Sequence, residues 1–105
     1  MSALGALIER EGLQHVASVR AGGYSWAATT VYYKPGTGRF YWLSESGCSC
    51  NYFGDGSYEL GAFGDGDRES ALRALADVDH WEGSPSAEER AQAATALRDF
   101  REVPA

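Results

Sequence analysis

Lysine is almost missing from this 105-residue chain. Lys34 stands alone among 9 basic residues, the rest being arginine, and 15 acidic residues bring the formal net charge to −6. An acidic chain lacks the electrostatic footprint of a nucleic-acid binder, whose affinity rests on neutralising phosphates, and speaks against DNA or RNA as the partner. It suits an anionic membrane surface no better. No apolar run approaches the roughly 18 residues of a membrane span. The segment Met1–Arg10 has no basic stretch ahead of its apolar residues, and those soon end at charge, so it does not read as a signal peptide. A cytoplasmic location follows as the expectation. Cysteine is scarce too. Cys48 and Cys50 are the only 2, and in a cytoplasm they would be reduced, with no disulfide framework. The glycines match no phosphate-binding loop, because no Gly-Lys-Ser/Thr is present.

What the chain does have is aromatic residues, 12 % of the total, with 6 Tyr, 4 Phe and 3 Trp. Its length suits a single domain spanning residues 1–105. Arginine over lysine, with abundant alanine and glycine, points to a GC-rich genome. The acidity is concentrated in the second half of the chain, beyond residue 50, and a solvated acidic face is its ordinary meaning.

Ser2 can cap a short helix carrying Leu4, Leu7 and Ile8 at helical spacing, and Gly12 stops it. Leu13 to Arg20 reads as a strand ended by Gly22-Gly23. Residues 25–34, rich in β-branched and aromatic types, form a second strand. Pro35-Gly36-Thr37-Gly38 makes a turn, and Arg39 to Glu45 returns as a third strand. Ser46 to Gly66 is loop-like, with two copies of Phe-Gly-Asp-Gly and a short strand expected at Tyr58-Glu59-Leu60. Asp65 or Asp67 caps a helix running to about Val78 with Ala71, Leu72, Leu75 and Val78 on one face. A final helix starts at Ser86, where Glu89 completes a capping box, and shows a stripe of Ala87, Ala91, Ala94, Leu97 and Phe100. The fold class is α+β: a small three-stranded antiparallel sheet packed with two to three helices, in the order α-β-β-β-loop-α-α.

Pairing Lys34 with Arg39 across the turn sets the hairpin register. Tyr33 then faces Phe40, Tyr32 faces Tyr41, Val31 faces Trp42 and Thr30 faces Leu43. Side chains alternate along a strand, so one face holds Val31, Tyr33, Phe40 and Trp42, and the other holds Trp26, Tyr32, Tyr41 and Leu43. Both faces are aromatic, whereas a sheet with one solvated face alternates apolar with polar. Two readings follow. In one, helices cover one face while the glycine-rich loop, with Tyr52, Phe53, Tyr58 and Phe63, folds over the other. In the second, Trp26, Tyr32, Tyr41 and Leu43 form an exposed surface that binds another protein, or a second copy of the chain in a homodimer.

Cys48 and Cys50, with His80, are the candidate metal ligands, and zinc is the metal such a set would take. His15 would complete four, but the spacing is not that of a zinc finger. The alternative is a pair of small buried hydrophobes at the end of the sheet. A catalytic pair of Cys48 with His15 or His80 as its base, His80 being oriented by Asp77 or Asp79, has no local signature. The carboxylates Asp55, Glu59, Asp65, Asp67 and Glu69 fail the calcium-loop pattern. No catalytic residue and no cofactor are assigned.

The runs Tyr24-Ser25-Trp26, Val31-Tyr32-Tyr33, Thr37-Gly38-Arg39-Phe40-Tyr41-Trp42 and Ser46-Gly47-Cys48-Ser49-Cys50 together resemble a family of small proteins encoded by actinobacteriophages, over about residues 22–78. In that family an aromatic hairpin leads into Gly-Cys-Ser-Cys. The resemblance carries no activity. It implies a setting, the cytoplasm of an infected bacterial host cell, and a host or phage protein as partner. The expectation is therefore a non-enzymatic interaction protein binding through the aromatic sheet face, with a metal- or small-ligand site at the Cys48/Cys50 loop as the alternative.

Overall fold

A computed structural model describes residues 2–102. The chain runs α1 (Ala3–Glu11), β1 (Gln14–Gly22), β2 (Ser25–Lys34), β3 (Arg39–Cys48), a 3-10 turn (Leu60–Ala62), β4 (Gly64–Gly66), α2 (Arg68–Ala76) and α3 (Ala87–Asp99). The class is α+β, and the sheet is an antiparallel meander in the order β1-β2-β3-β4. It has four strands rather than three.

The hairpin register is the one set by Lys34 opposite Arg39, and pairing continues to Ser25 opposite Cys48. The turn needs glycine because Gly36 and Gly38 take φ of 82° and 71°, in the left-handed region. Thr37 completes it: its hydroxyl donates to the Lys34 carbonyl at 2.7 Å and accepts from the Arg39 N–H at 3.0 Å. On the other edge of β2, β1 pairs from Gln14 to Gly22 with a bulge between His15 and Ala17.

The fourth strand comes from the second Phe-Gly-Asp-Gly copy, not from residues 58–60. Gly64 to Gly66 pairs with Trp42 to Phe40, and a Cβ on Gly64 would overlap the Trp42 indole. Only glycine lets this backbone lie against β3 there. An ion pair between Arg39 and Asp65 closes the edge.

Each face of the sheet has its own core. Val31 and Phe40 are buried with Val16, Ala17, Val19 and Ala21 beneath Ala71, Leu75 and Val78, the last just past α2, and Ala93 and Leu97 of α3; Tyr33, Trp42 and Phe100 pack at the margin. Leu4, Leu7 and Leu13 cover Tyr32 and Leu43 on the opposite face, together with Phe63 and, from the loop, Phe53, Tyr58 and Leu60. The molecule is thus three-layered, with the sheet in the middle.

The helix ends follow their capping residues. Ser2, Asp67 and Ser86 each accept the N–H three residues on. Hydrogen bonding to the Ser70 N–H holds the Asp67 carboxyl below its ordinary range. The reciprocal half of the expected capping box does not form, because Glu89 turns away and accepts the Arg20 N–H at 3.2 Å. The expected stripe on α3 is also out of phase. Ala93 and Leu97 are buried while Ala87 and Ala91 are exposed. Several alanines of equal size cannot set the phase of a helix; Leu97 and Phe100 do.

Two polar ties hold the outer layers on. Lys34 Nζ donates to Glu11 Oε1 at 2.7 Å, fastening α1 to β2. Arg68, the first residue of α2, reaches the open end of α3: its Nη1 donates to the carbonyls of Leu97 and, at 3.1 Å, Phe100. Its guanidinium also lies 5.1 Å from the centroid of the Phe40 ring. The last carbonyls of a helix have no intrahelical donors, and α3 ends without a glycine cap, so Arg68 supplies what the helix lacks. The contact also fixes α2 antiparallel to α3.

Replacing Arg68 with Ala should cost about 1.5–3 kcal/mol, the range for hydrogen bonds to a charged group, and should speed amide exchange in the last turn of α3. An unchanged urea midpoint would show that the cap contributes nothing. The α1 tie is pH-dependent. The hydrogen bond from Lys34 lowers the Glu11 pKa, so its contribution is present above the ordinary carboxylate range and is lost as pH falls through the depressed value. Acidification from about pH 5 to about pH 3 should therefore loosen α1 selectively by hydrogen exchange, and Glu11→Gln should remove that selectivity.

Candidate functional site

The four residues expected to form an exposed binding face do not form one. Trp26 is 4 % exposed, Tyr32 5 % and Leu43 8 %, and Tyr41 is half-buried. The loop after β3 explains the correction. Glu45, on the same face, accepts the Gly54 N–H at 2.8 Å and the Tyr58 hydroxyl at 2.7 Å. This carboxylate draws the loop across the sheet, so Phe53 comes to the Trp26 ring at 6.5 Å and Phe63 to the Tyr32 ring at 6.3 Å. Burial first, then the Glu45 charge, pushes the Tyr32 phenol up. For Tyr58, burial and the hydrogen bond to Glu45 act in the same direction. Tyr52 is the one loop aromatic that does not take part.

The second expected site also takes another form. Cys48 and Cys50 are joined by a disulfide, in place of the reduced thiols expected. Cys48 is the last residue of β3, and a tight turn follows it. Asn51 Oδ1 accepts the Cys48 N–H at 2.9 Å, while the Asn51 N–H donates back to the Cys48 carbonyl at 3.2 Å. The turn leaves the two Cα atoms 5.4 Å apart, within bridging range. A disulfide has no thiolate to offer a metal, and among the described residues no group of three or more His, Cys, Asp and Glu could hold one.

His80 lies at the same end of the sheet, beside the β1–β2 turn. Its Nδ1 accepts the Glu82 N–H at 3.0 Å and its ring stacks on Trp81 with centroids 5.4 Å apart. Asp79 does not orient that ring. Its carboxylate accepts from the Ser84 hydroxyl and from the His80 backbone N–H, and the first of these is the main reason its pKa is lowered. His15 sits apart, its Nε2 3.0 Å from the Ser18 hydroxyl. Of the acidic candidates, Asp65 pairs with Arg39 and Asp67 caps α2.

What the structure assembles instead is an end of the sheet. Three loops meet there: the β1–β2 turn, residues 49–53 after β3, and residues 79–84 after α2. The Gly22 N–H donates to the Gly83 carbonyl at 2.8 Å, and the Ser25 N–H donates to Glu82. The Trp26 indole N–H donates to the carbonyls of Cys48 and Asn51, at 3.1 and 3.3 Å. Each loop carries one large exposed aromatic residue: Tyr24 at 77 %, Tyr52 at 73 % and Trp81 at 85 %. Beside Tyr52 lies a concavity of about 240 Å³ lined by Arg20, Trp26, Cys48, Ser49, Asn51, Tyr52 and Phe53. The Arg20 guanidinium sits 5.6 Å from the Trp26 ring centroid on its wall. The strand-ending signal at Gly22-Gly23 and the loop character after Ser46 were legible in the sequence. That these segments share one end of the molecule was not.

Residues 8–62, from the end of α1 through the three long strands to the 3-10 turn, match the family model described as a domain of unknown function, DUF7574. More than half of the chain is covered, and the chain belongs to that family. No curated protein and no solved structure matches it. The matched segment includes Tyr24, Tyr52 and the disulfide, and stops short of β4, α2, Trp81 and α3.

Iodoacetamide added to the unreduced protein should label neither cysteine, and reductant should expose both; labelling without reductant would show free thiols. Reduction should cost less than the roughly 3 kcal/mol of a fifteen-residue loop, because the closed segment is only Cys48-Ser49-Cys50.

Proposed function

We propose that this chain is a non-enzymatic interaction module that grips a partner protein with the aromatic end of its sheet. The observation that carries the reading is the placement of Tyr24, Tyr52 and Trp81, each largely solvated, on three loops at that end, two of them bonded to each other and the third to Trp26 of β2. A folded chain leaves aromatic rings in water at a cost, and grouped exposed rings are the usual anchors of protein interfaces. Tyr and Trp suit this role because they offer large rigid surfaces with few torsions to freeze. The concavity beside Trp26 is of a size to take a side chain of the partner. The loops are held by hydrogen bonds to each other and to the sheet, so little ordering is required on contact. The reading keeps the class of function expected from the sequence and moves its surface from the hairpin faces to the sheet end. A host or phage protein remains the proposed partner, in the bacterial cytoplasm. Among the described residues no helix is long and apolar enough to cross a membrane.

A variant with Tyr24→Ser, Tyr52→Ser and Trp81→Ala tests this. All three side chains are exposed, so each change should alter folding stability by no more than about 0.5 kcal/mol. Loss of the anchors should cost the complex roughly 2 kcal/mol or more per hot-spot residue. Crosslinked pull-down from an actinobacterial lysate, before and after phage infection, should recover a specific protein with the wild-type chain and lose it with the variant. Equal recovery by both, or recovery of nothing by the wild type, would overturn the reading.

A further inference from the structure

The outer side of the helical layer carries a second feature, separate from the aromatic end. Between antiparallel α2 and α3 runs an open groove of about 630 Å³ lined by Val19, Leu72, Leu75, Ala76, Ala91 and Ala94, with Glu69, Arg73, Arg90 and Arg98 at its margins. The floor is apolar. Three of the four charged margins are guanidinium groups, Arg73 from one wall and Arg90 and Arg98 from the other. In a chain of net charge −6 this is a local reversal of sign.

None of the three arginines forms an ion pair among the described residues, where the pairs are Arg10–Glu11, Lys34–Glu11 and Arg39–Asp65. Arg73 donates to the Ser70 hydroxyl and Arg90 to the Ala76 carbonyl, both at 3.0 Å. Asp67 and Asp79 lie within electrostatic range of Arg73 and Arg90 respectively, and Glu69 lies at the same margin as Arg73. Among the residues that line the groove itself, one carboxylate, Glu69, stands against the three guanidiniums.

We infer that this groove docks an acidic amphipathic helix of a partner protein. Its length selects the occupant. Arg90 and Arg98 stand eight residues apart on one helix, roughly 12 Å along its axis, a span of just over two helical turns. An apolar trough of that length between two helices receives a third helix through large side chains at i, i+3 or i+4, and i+7. Ala91 and Ala94 on the α3 wall leave room for the incoming backbone to approach. The two arginines of α3 then meet carboxylates two turns apart on one flank of the guest, and Arg73 meets one on the other flank. Carboxylate recognition by guanidinium fixes both the register and the sign of the partner.

The probe is a synthetic four-turn helix with leucine at those positions and glutamate along both flanks, titrated into the isotopically labelled full chain and followed by amide shifts. Shifts should gather at Val19, Leu72, Leu75, Ala91, Ala94 and Arg98, and affinity should fall steeply with added salt. Arg98→Gln and Arg73→Gln should each weaken binding about fivefold to tenfold, as exposed-to-partly-buried charge pairs do. Ala91→Trp fills the trough from an exposed position and should abolish binding while leaving the circular dichroism spectrum unchanged. A lysine-flanked version of the peptide should not bind. Equal binding of the two peptides, shifts elsewhere, or no shifts would overturn the inference. So would concentration-dependent shifts at the groove without peptide, which would assign it to self-association. The aromatic-end variant should bind the peptide normally, so failure of either reading is distinguishable from failure of the other.

Discussion

The β2–β3 hairpin has no face it can show to water, and the rest of the structure answers that constraint. Tyr33, Val31, Phe40 and Trp42 project one way, and Tyr32, Leu43, Trp26 and Tyr41 the other. Leaving either set exposed would forfeit the largest apolar burial available to a chain of this size. Two helices close one face and a helix with a glycine-rich loop closes the other. The strand between two covers is therefore the most buried part of the molecule: Val31 is inaccessible to solvent.

Covering layers built from short helices and a loop need ties as well as grease. Each helix here is 9 to 13 residues long, marginal on its own in water. Single polar side chains do the fastening. Glu45 collects the loop through Gly54 and Tyr58, Glu11 and Lys34 fasten α1, and Arg68 locks the end of α3 to the start of α2. Among the described residues no fully buried side-chain oxygen or nitrogen lacks a partner, so these ties come without the penalty of an orphaned polar group.

The same constraint shapes the surface. Once the hairpin aromatics are internal, the exposed ones that remain stand on the connecting loops, and the meander gathers those loops at an end of the sheet. Trp81 illustrates the effect. It follows α2, far along the chain from Tyr24, yet the bonds from Gly22 to Gly83 and from Ser25 to Glu82 bring its loop beside the turn that carries Tyr24. The helical layer leaves a different surface, small and apolar between its helices and basic along the rim. The family match covers the three long strands but not this layer.

Local chemistry alone determined a good deal. The turn at Pro35–Gly38, the hairpin register, the two aromatic faces and the caps at Ser2, Asp67 and Ser86 depend on residues within a few positions of one another, and they stand as the sequence implies. The phase of α3, the fourth strand, the placement of the loop and the bonding of Cys48 to Cys50 were decided by tertiary structure. Each turns on a partner distant in sequence or on backbone conformation: Leu97 and Phe100 against the sheet, Trp42 over Gly64, Glu45 under Gly54 and Tyr58, and the Asn51 turn that closes the cysteines. The sequence showed that Trp26, Tyr32 and Tyr41 lie on one face but not what lies over that face, because alternation reports direction and cover is a long-range property. Exposure of Tyr24, Tyr52 and Trp81, and the pairing of α2 with α3 that opens the groove, are decided at that same level.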